Sequence, residues 1–355
     1  MIMNYFFYSL LAFLLALFLT PVVRLLMLRL GIVDKPKALA RKIHKHKIAL
    51  GGGWAIFLAF FLVVLLVFKF TGYSAPHIKS SYLLALFLGS LVLMIGGLLD
   101  DKYNLSPIKQ LFFAFLAAGI VIAFGIGPEI ITNPFGGVIN LNLFSWSNTE
   151  WGNFFLFSNI VVFVWLMGMM LTTKILDGLD GLVTGIIIIG AVLIAALSLQ
   201  TKWLQPDLAM LALIFAGACL GFLVWNFYPA RIFLGQGGSL FLGFILGCLA
   251  IISGGKIATT LLVMAVPMLD IMRVIFRRWQ KKRPIFQGDS EHLHFLLLQS
   301  GLNHQQAVLL LYLVSFLFGI TTLFLQSQQK LMALILIFIL MLALAIWFTH
   351  KEEKV

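Results

Sequence analysis

Four carboxylates stand out in this chain by type and spacing. Asp100 and Asp101 are adjacent in GGLLDDKYNLSP, and Asp177 and Asp180 lie three apart in TTKILDGLDGLVTG. Each pair ends a long apolar run, in a chain of 355 residues with only 13 Asp and Glu. A charge beside hydrocarbon is costly, roughly 2.5–3.5 kcal/mol at a helix centre, and neighbouring carboxylates repel unless a cation or proton relieves them. The arrangement therefore points to divalent-metal or proton chemistry at a membrane surface. Mg²⁺ suits it, since that ion takes one or two carboxylates and completes its shell with waters and phosphates. One residue of the Asp100–Asp101 pair would ligate the metal while the other positions or deprotonates an acidic nucleophile. If DGLDG is helical, Asp177 and Asp180 share a face; an N-cap role at the following helix would explain one of them but not both.

Other polar residues suit the same chemistry less specifically. Gly235, Gly237 and Gly238 precede an apolar helix, and backbone N–H groups at such a turn suit phosphate oxygens. His292 and His294 in EHLHF alternate along an extended segment, where imidazoles reach phosphate or a metal. Asp270, inside an apolar run, is expected to pair with Arg273 or Arg277 of its own helix.

The elements that must position these residues are membrane helices. Hydrophobic residues make up 61% of the chain and charged residues 11%, with mean hydropathy +1.05, which excludes a soluble globular domain. Windows of about 20 residues predict an all-α polytopic membrane protein of 10–11 spans, near 5–27, 51–70, 81–99, 107–126, 154–171, 181–199, 207–225, 239–253, 257–276, 305–326 and 330–348. The 239–276 region reads as two spans or one bent pair. The first span is too long for a signal peptide and is expected to be retained. Cys219 and Cys248 fall in apolar runs and read as buried thiols.

Lys and Arg concentrate in the odd-numbered connections, such as 28–50 and 277–304, so the N-terminus is expected outside and the C-terminus in the cytoplasm. All the polar motifs then share the cytoplasmic face, in loops 28–50, 100–106, 172–180, 226–238 and 277–304 of a single transmembrane domain spanning 1–355. The net charge of +12 suits anionic lipid or a phosphorylated substrate, and needs no nucleic-acid partner. Outside, NPFGG followed by GVINLNLF predicts a small β-hairpin near 128–145. A transporter with acidic relays fits less well, because its site would lie near the midplane.

Taken together and in order, LGIVDKPKALARKIHKHKIALGGG, GGLLDDKYNLSP, DGLDGLVTG, WNFYPARIFLGQGGSLFLG, VPMLDIMRVIFRR and GDSEHLHFLLLQSGL resemble the polyprenyl-phosphate N-acetylhexosamine-1-phosphate transferase family, glycosyltransferase family 4, over residues 30–302. The HLH ending is more similar to the branch that uses UDP-N-acetylglucosamine than to the phospho-muramyl-pentapeptide branch. The resemblance implies a bacterial plasma-membrane enzyme that begins cell-envelope polysaccharide assembly. A polyprenyl (undecaprenyl) phosphate would attack the β-phosphate of a UDP-sugar and release UMP, with Mg²⁺ (or Mn²⁺) as cofactor; a homodimer is expected by the same analogy. Carried over by motif, Asp100 and Asp101 serve the lipid phosphate and metal, and Asp177 and Asp180 line the nucleotide and metal region. Arg41, Lys42, His44, Asn226, His292 and His294 are then substrate contacts, and Asp101, Asp180 and, weakly, Gln236 are the metal ligands.

The chain departs from the family pattern at several of these positions. Gln236 stands where the family has a metal-binding Asp, and Lys174 and Leu171 stand where it has Asn. Gln110 replaces a common Lys, with Lys109 next to it. A neutral amide oxygen is a weaker ligand for a hard cation, so Lys174 is expected to take over part of the cation's work on the diphosphate. The other reading of the same departures is an impaired homologue that binds polyprenyl phosphate or nucleotide-sugar without turnover.

Overall fold

The computed structural model describes all residues except 1, 36–45, 71–77, 129, 134–135, 142–144, 150–151, 202–203, 255, 281, 283–291, 326 and 353–355. Each of the eleven apolar windows is helical. The helices are α1 (Ile2–Arg29), α2 (Gly53–Leu65, continued by a π-helical turn Leu66–Phe70), α3 (Ser80–Tyr103), α4 (Pro107–Ala123), α5 (Leu156–Leu176), α6 (Leu182–Ser198), α7 (Pro206–Asn226), α8 (Gly235–Ile252), α9 (Ile257–Val263) with α10 (Ala265–Gln280), α11 (Leu293–Gln299), α12 (His304–Thr321) and α13 (Ser327–Glu352). Among the described residues, six are long and apolar enough to cross a membrane: α1, α3, α5, α7, α8 and α12. The α9–α10 pair passes the same test as a seventh span bent by 72°, and shorter apolar helices lie at Gly53–Lys69, Pro107–Ala123, Leu182–Ser198 and Gln328–Ile339. The bend expected in 239–276 thus falls entirely within α9–α10, while α8 runs unbroken.

Among the described residues, three two-stranded sheets complete the fold. β1 (Val33–Asp34) pairs antiparallel with β2 (Ile48–Ala49), and β3 (Ile130–Thr132) with β4 (Val138–Asn140), which is the expected hairpin. A second hairpin, β5 (Ser145–Thr149) with β6 (Gly152–Phe155), was not anticipated, since SWSNT and GNFF carry no apolar alternation.

The helix that organises the site is α8, buried along nearly its whole length. Lipid is as apolar as a side chain, so helices in a bilayer associate through close packing of small residues rather than through release of water. Here that packing is at its closest where α2, α3 and α8 converge. A Cβ on Gly97 would sit 2.0 Å from the Gly237 nitrogen, and one on Gly53 would sit 2.3 Å from the Gly238 Cα. Only glycine permits that approach, and one turn beyond Gly97 on α3 comes Asp101. Helix α7 lies against α1, where the Trp225 Nε1–H donates to the Leu17 carbonyl at 3.1 Å.

Candidate active site

The glycine contact between α3 and α8 brings Asp101 to the start of α8. Its two carboxylate oxygens accept from the Gln236 backbone N–H at 3.1 and 3.3 Å. Gly235 (φ +76°) makes this turn, and a Cβ there would lie 2.4 Å from Asp101 Oδ2. The Gln236 side-chain oxygen is buried without a hydrogen-bond partner. A buried acceptor left unpaired costs about 1–3 kcal/mol, which makes it an oxygen in want of a donor or a cation.

Asp100 is committed elsewhere. It is buried, and its Oδ1 accepts from the Leu105 N–H at 2.8 Å and from Gln110 Nε2 at 2.9 Å, tying the end of α3 to the start of α4. Gln110 also donates to the Leu105 carbonyl at 2.9 Å, and its Oε1 accepts from Lys174 Nζ. That amide thus links Asp100 to Lys174, whose ammonium lies in electrostatic reach of both Asp100 and Asp101.

The DGLDG segment is a turn rather than a helix, because Gly178 and Gly181 break the backbone path and Gly181 adopts φ +79°. Asp177 and Asp180 therefore do not share a helical face. Neither caps α6, whose N-cap is Gly181 with no side-chain cap. Asp180 Oδ2 accepts from the Ala230 N–H at 2.9 Å, while its own N–H donates to His304 Nε2 at 2.9 Å. The His304 ring stacks on Tyr228, centroids 4.3 Å apart. Asp177 caps the C-terminus of α5 and reaches solvent. Protein packed around it, and then the like charges of Asp101 and Asp180, push its carboxyl up to about 8, so a cation arriving there would displace a proton.

His292 and His294 do not lie on an extended segment. His292 is the N-cap of α11 and His294 is in its first turn. Their rings are parallel within 1°, centroids 5.7 Å apart. Asp270 organises them: its Oδ2 meets His292 Nδ1 at 3.0 Å and accepts from the Leu293 N–H at 3.0 Å. Its Oδ1 takes Arg273, the expected partner, at 2.8 Å. His294 is buried with Nε2 unpartnered against Gly178, where a Cβ would lie 2.4 Å from that nitrogen. Burial, then the neighbouring His292, lower its basicity to about 3, so it is neutral near pH 7.

Asn226 is occupied by the protein itself. Its Oδ1 accepts from Thr184 Oγ1 at 3.2 Å and its Nδ2 donates to the Ile232 carbonyl at 3.0 Å, closing the loop that carries Ala230 and leads to Gln236. Arg41, Lys42 and His44 lie outside the described residues. The structure thus brings Asp101, Gln236, Lys174, Asp177 and His294 around one end of the bundle, with Asp100, Asp180 and Asn226 as bracing. Gln110 and His304 act here without having been singled out for a role, because their partners lie 64 and 124 residues away in sequence.

Known proteins resemble this chain along most of its length. The model of "Glycosyl transferase family 4" matches residues 83–254. The chain is 30% identical over 336 residues, 93% of its own length and 87% of the relative's, to the "Probable undecaprenyl-phosphate N-acetylglucosaminyl 1-phosphate transferase" of Bacillus subtilis (strain 168). It is also 30% identical over 321 residues, 83% of this chain and 76% of the relative, to the "Decaprenyl-phosphate N-acetylglucosaminephosphotransferase" of Mycobacterium tuberculosis. The "Undecaprenyl-phosphate alpha-N-acetylglucosaminyl 1-phosphate transferase" of Salmonella typhi is 26% identical over 311 residues, 81% of this chain and 75% of the relative. With similarity of that degree along nearly the whole of both sequences, this chain belongs to glycosyl transferase family 4.

Proposed function

We propose that this chain transfers N-acetylglucosamine 1-phosphate from UDP-N-acetylglucosamine to a polyprenyl phosphate, releasing UMP, on the cytoplasmic face of a bacterial plasma membrane. The relatives are named for undecaprenyl or decaprenyl phosphate and for N-acetylglucosamine, which supports the acceptor class and the sugar. The observation that carries the reading is Asp101 set against the α8 N-terminus, beside a buried and unpartnered Gln236 oxygen.

That pair of oxygens fits Mg²⁺. Mg²⁺ takes one or two protein oxygens and leaves the rest of its shell to water and phosphate. Asp101 and Gln236 would hold it, with the Asp177 carboxyl within electrostatic reach of Asp101. When bound, the ion neutralises the diphosphate charge.

The chain's own groups do the rest. A lipid phosphate oxygen forms a bond to the β-phosphorus of the nucleotide sugar, and the bond from that phosphorus to the bridging oxygen of UMP breaks in line. A phosphate monoester loses its second proton near pH 6, so the nucleophile is already largely dianionic and Asp101 orients it more than it deprotonates it. Lys174, steered by Gln110, supplies fixed positive charge beside the carboxylates. Neutral His294 keeps an imidazole edge against the DGLDG turn without adding charge. The exposed apolar edge of α10, Met272, Ile275 and Phe276, gives an isoprenoid chain a surface to lie on beside Asp270 and Arg273.

The test is release of UMP by purified protein given UDP-N-acetylglucosamine and undecaprenyl phosphate, with Mg²⁺ and with chelator. Metal-dependent release is expected. Saturable substrate binding with no release under any metal would leave the impaired-homologue reading in its place.

A further inference from the structure

Two arginines outside the catalytic face are held in a way that a simple positive surface does not require. Arg24 on α1 donates from Nε to the Arg231 backbone carbonyl at 3.0 Å. The Arg231 guanidinium lies over the Trp225 ring, 5.4 Å from its centroid, and the Arg231 N–H donates to the Trp225 carbonyl at 2.9 Å. Trp225 is itself pinned to α1 through the Leu17 carbonyl. A guanidinium has five N–H donors. Arg24 uses Nε alone in these contacts, and Arg231 uses its π face, so the terminal nitrogens of both forks stay available. The ion pairs of Asp270 with Arg273 and His292 involve neither arginine.

The location suits a lipid headgroup. Arg24 precedes the end of α1 by five residues, about 7.5 Å along a helix axis. Around it Val22, Leu25 and Leu28 of α1 and Leu220 and Val224 of α7 are exposed apolar side chains. A partly exposed Trp beside paired arginines, at the end of apolar helices, matches the chemistry of the membrane interface. Planar forks that are fixed in advance suit phosphate oxygens better than a mobile ammonium does.

We propose that Arg24 and Arg231, fixed by Trp225, form a binding site for the phosphodiester headgroup of an anionic phospholipid in the leaflet on the catalytic side. Arg231 follows Ala230, whose amide holds Asp180, so the site borders the catalytic face while using none of the residues assigned to chemistry.

The test is lipid retention by the full-length protein in detergent micelles, read by native mass spectrometry during titration with phosphatidylglycerol or phosphatidylcholine. Because it reads binding, its outcome is separate from that of the turnover assay. The expected result is preferential retention of phosphatidylglycerol, weakened about fivefold by each of Arg24→Gln and Arg231→Gln, the scale of one basic residue at a charged surface. The doubly substituted Arg24→Lys/Arg231→Lys protein keeps the charge but loses the forks, and is expected to weaken retention as well. It also carries the test if a Gln variant unfolds. Retention unchanged in the Lys protein would overturn a built site in favour of diffuse charge. Displacement by millimolar inorganic phosphate, or equally by undecaprenyl phosphate, would overturn the phospholipid assignment.

Discussion

The two acidic pairs solve the same electrostatic problem by the same division of labour. In the first, Asp100 is absorbed by Leu105 and Gln110 while Asp101 faces the N-terminus of α8. In the second, Asp180 is absorbed by the Ala230 amide while Asp177 stands open to solvent with a raised pKa. Each pair thus contains one carboxylate that braces a loop and one that remains for substrate or metal. Adjacency in sequence hides this, because partners 5 to 135 residues away decide which member is which.

The sharpest way to break the comparison is to neutralise both members of the first pair separately. Asp101→Asn is expected to lower turnover about 10³-fold, the scale of removing one preorganised electrostatic group. Asp100→Asn keeps an acceptor oxygen for Leu105 and Gln110, exchanging charge-assisted bonds for neutral ones. Its loss is expected to be about 1–2 kcal/mol, read as a lower unfolding midpoint with turnover within about tenfold. Equal turnover losses in the two variants would erase the division between bracing and reacting carboxylates.

Lys174 tests the cation that faces the first pair. Lys174→Ala removes the cation beside Asp100 and Asp101 and leaves Gln110 Oε1 without its donor. A charged hydrogen bond is worth about 1.5–3 kcal/mol, so turnover is expected to fall about 10- to 100-fold. Unchanged turnover would show that the cation is structural. Gln236→Asp should act in the opposite sense on metal. A third carboxylate near Asp101 and Asp177 is expected to lower the Mn²⁺ concentration for half-saturation about tenfold, measured by electron paramagnetic resonance without substrate.

Much of this was legible in the sequence, and what was not has a physical cause. The helices that fill the eleven apolar windows follow from those windows, since a bilayer leaves the backbone few other ways to satisfy its hydrogen bonds. The Asp270–Arg273 pair is local, three residues apart, and could be anticipated. Asp101 against Gln236 could be grouped by motif but not oriented, because Gly97 and Gly237 set that contact across 140 residues. His304 was invisible as a site residue: it binds a backbone amide, which no side-chain motif encodes. The shared helical face considered for Asp177 and Asp180 does not form, because the DGLDG glycines open a turn rather than merely thin a helix flank.

The smallest expected effect concerns His294, the imidazole that the second pair's turn covers. Its folded pKa of about 3, against an ordinary 6.5, means that the unfolded chain binds more protons between those values. Stability therefore falls as pH drops from 6.5, by about 2 kcal/mol at pH 5 for this group alone. The unfolding midpoint in micelles should drop between pH 7 and pH 5, and His294→Gln should reduce that drop, because glutamine has no proton to bind. The same midpoints should respond less to His292→Gln, since His292 Nδ1 already has a partner in the Asp270 carboxylate whereas His294 Nε2 is buried without one. A pH response of equal size in both variants would mean that acid acts on Asp270, the group the two histidines share, and that the contact between His294 and Gly178 is not what makes burial of a neutral ring necessary.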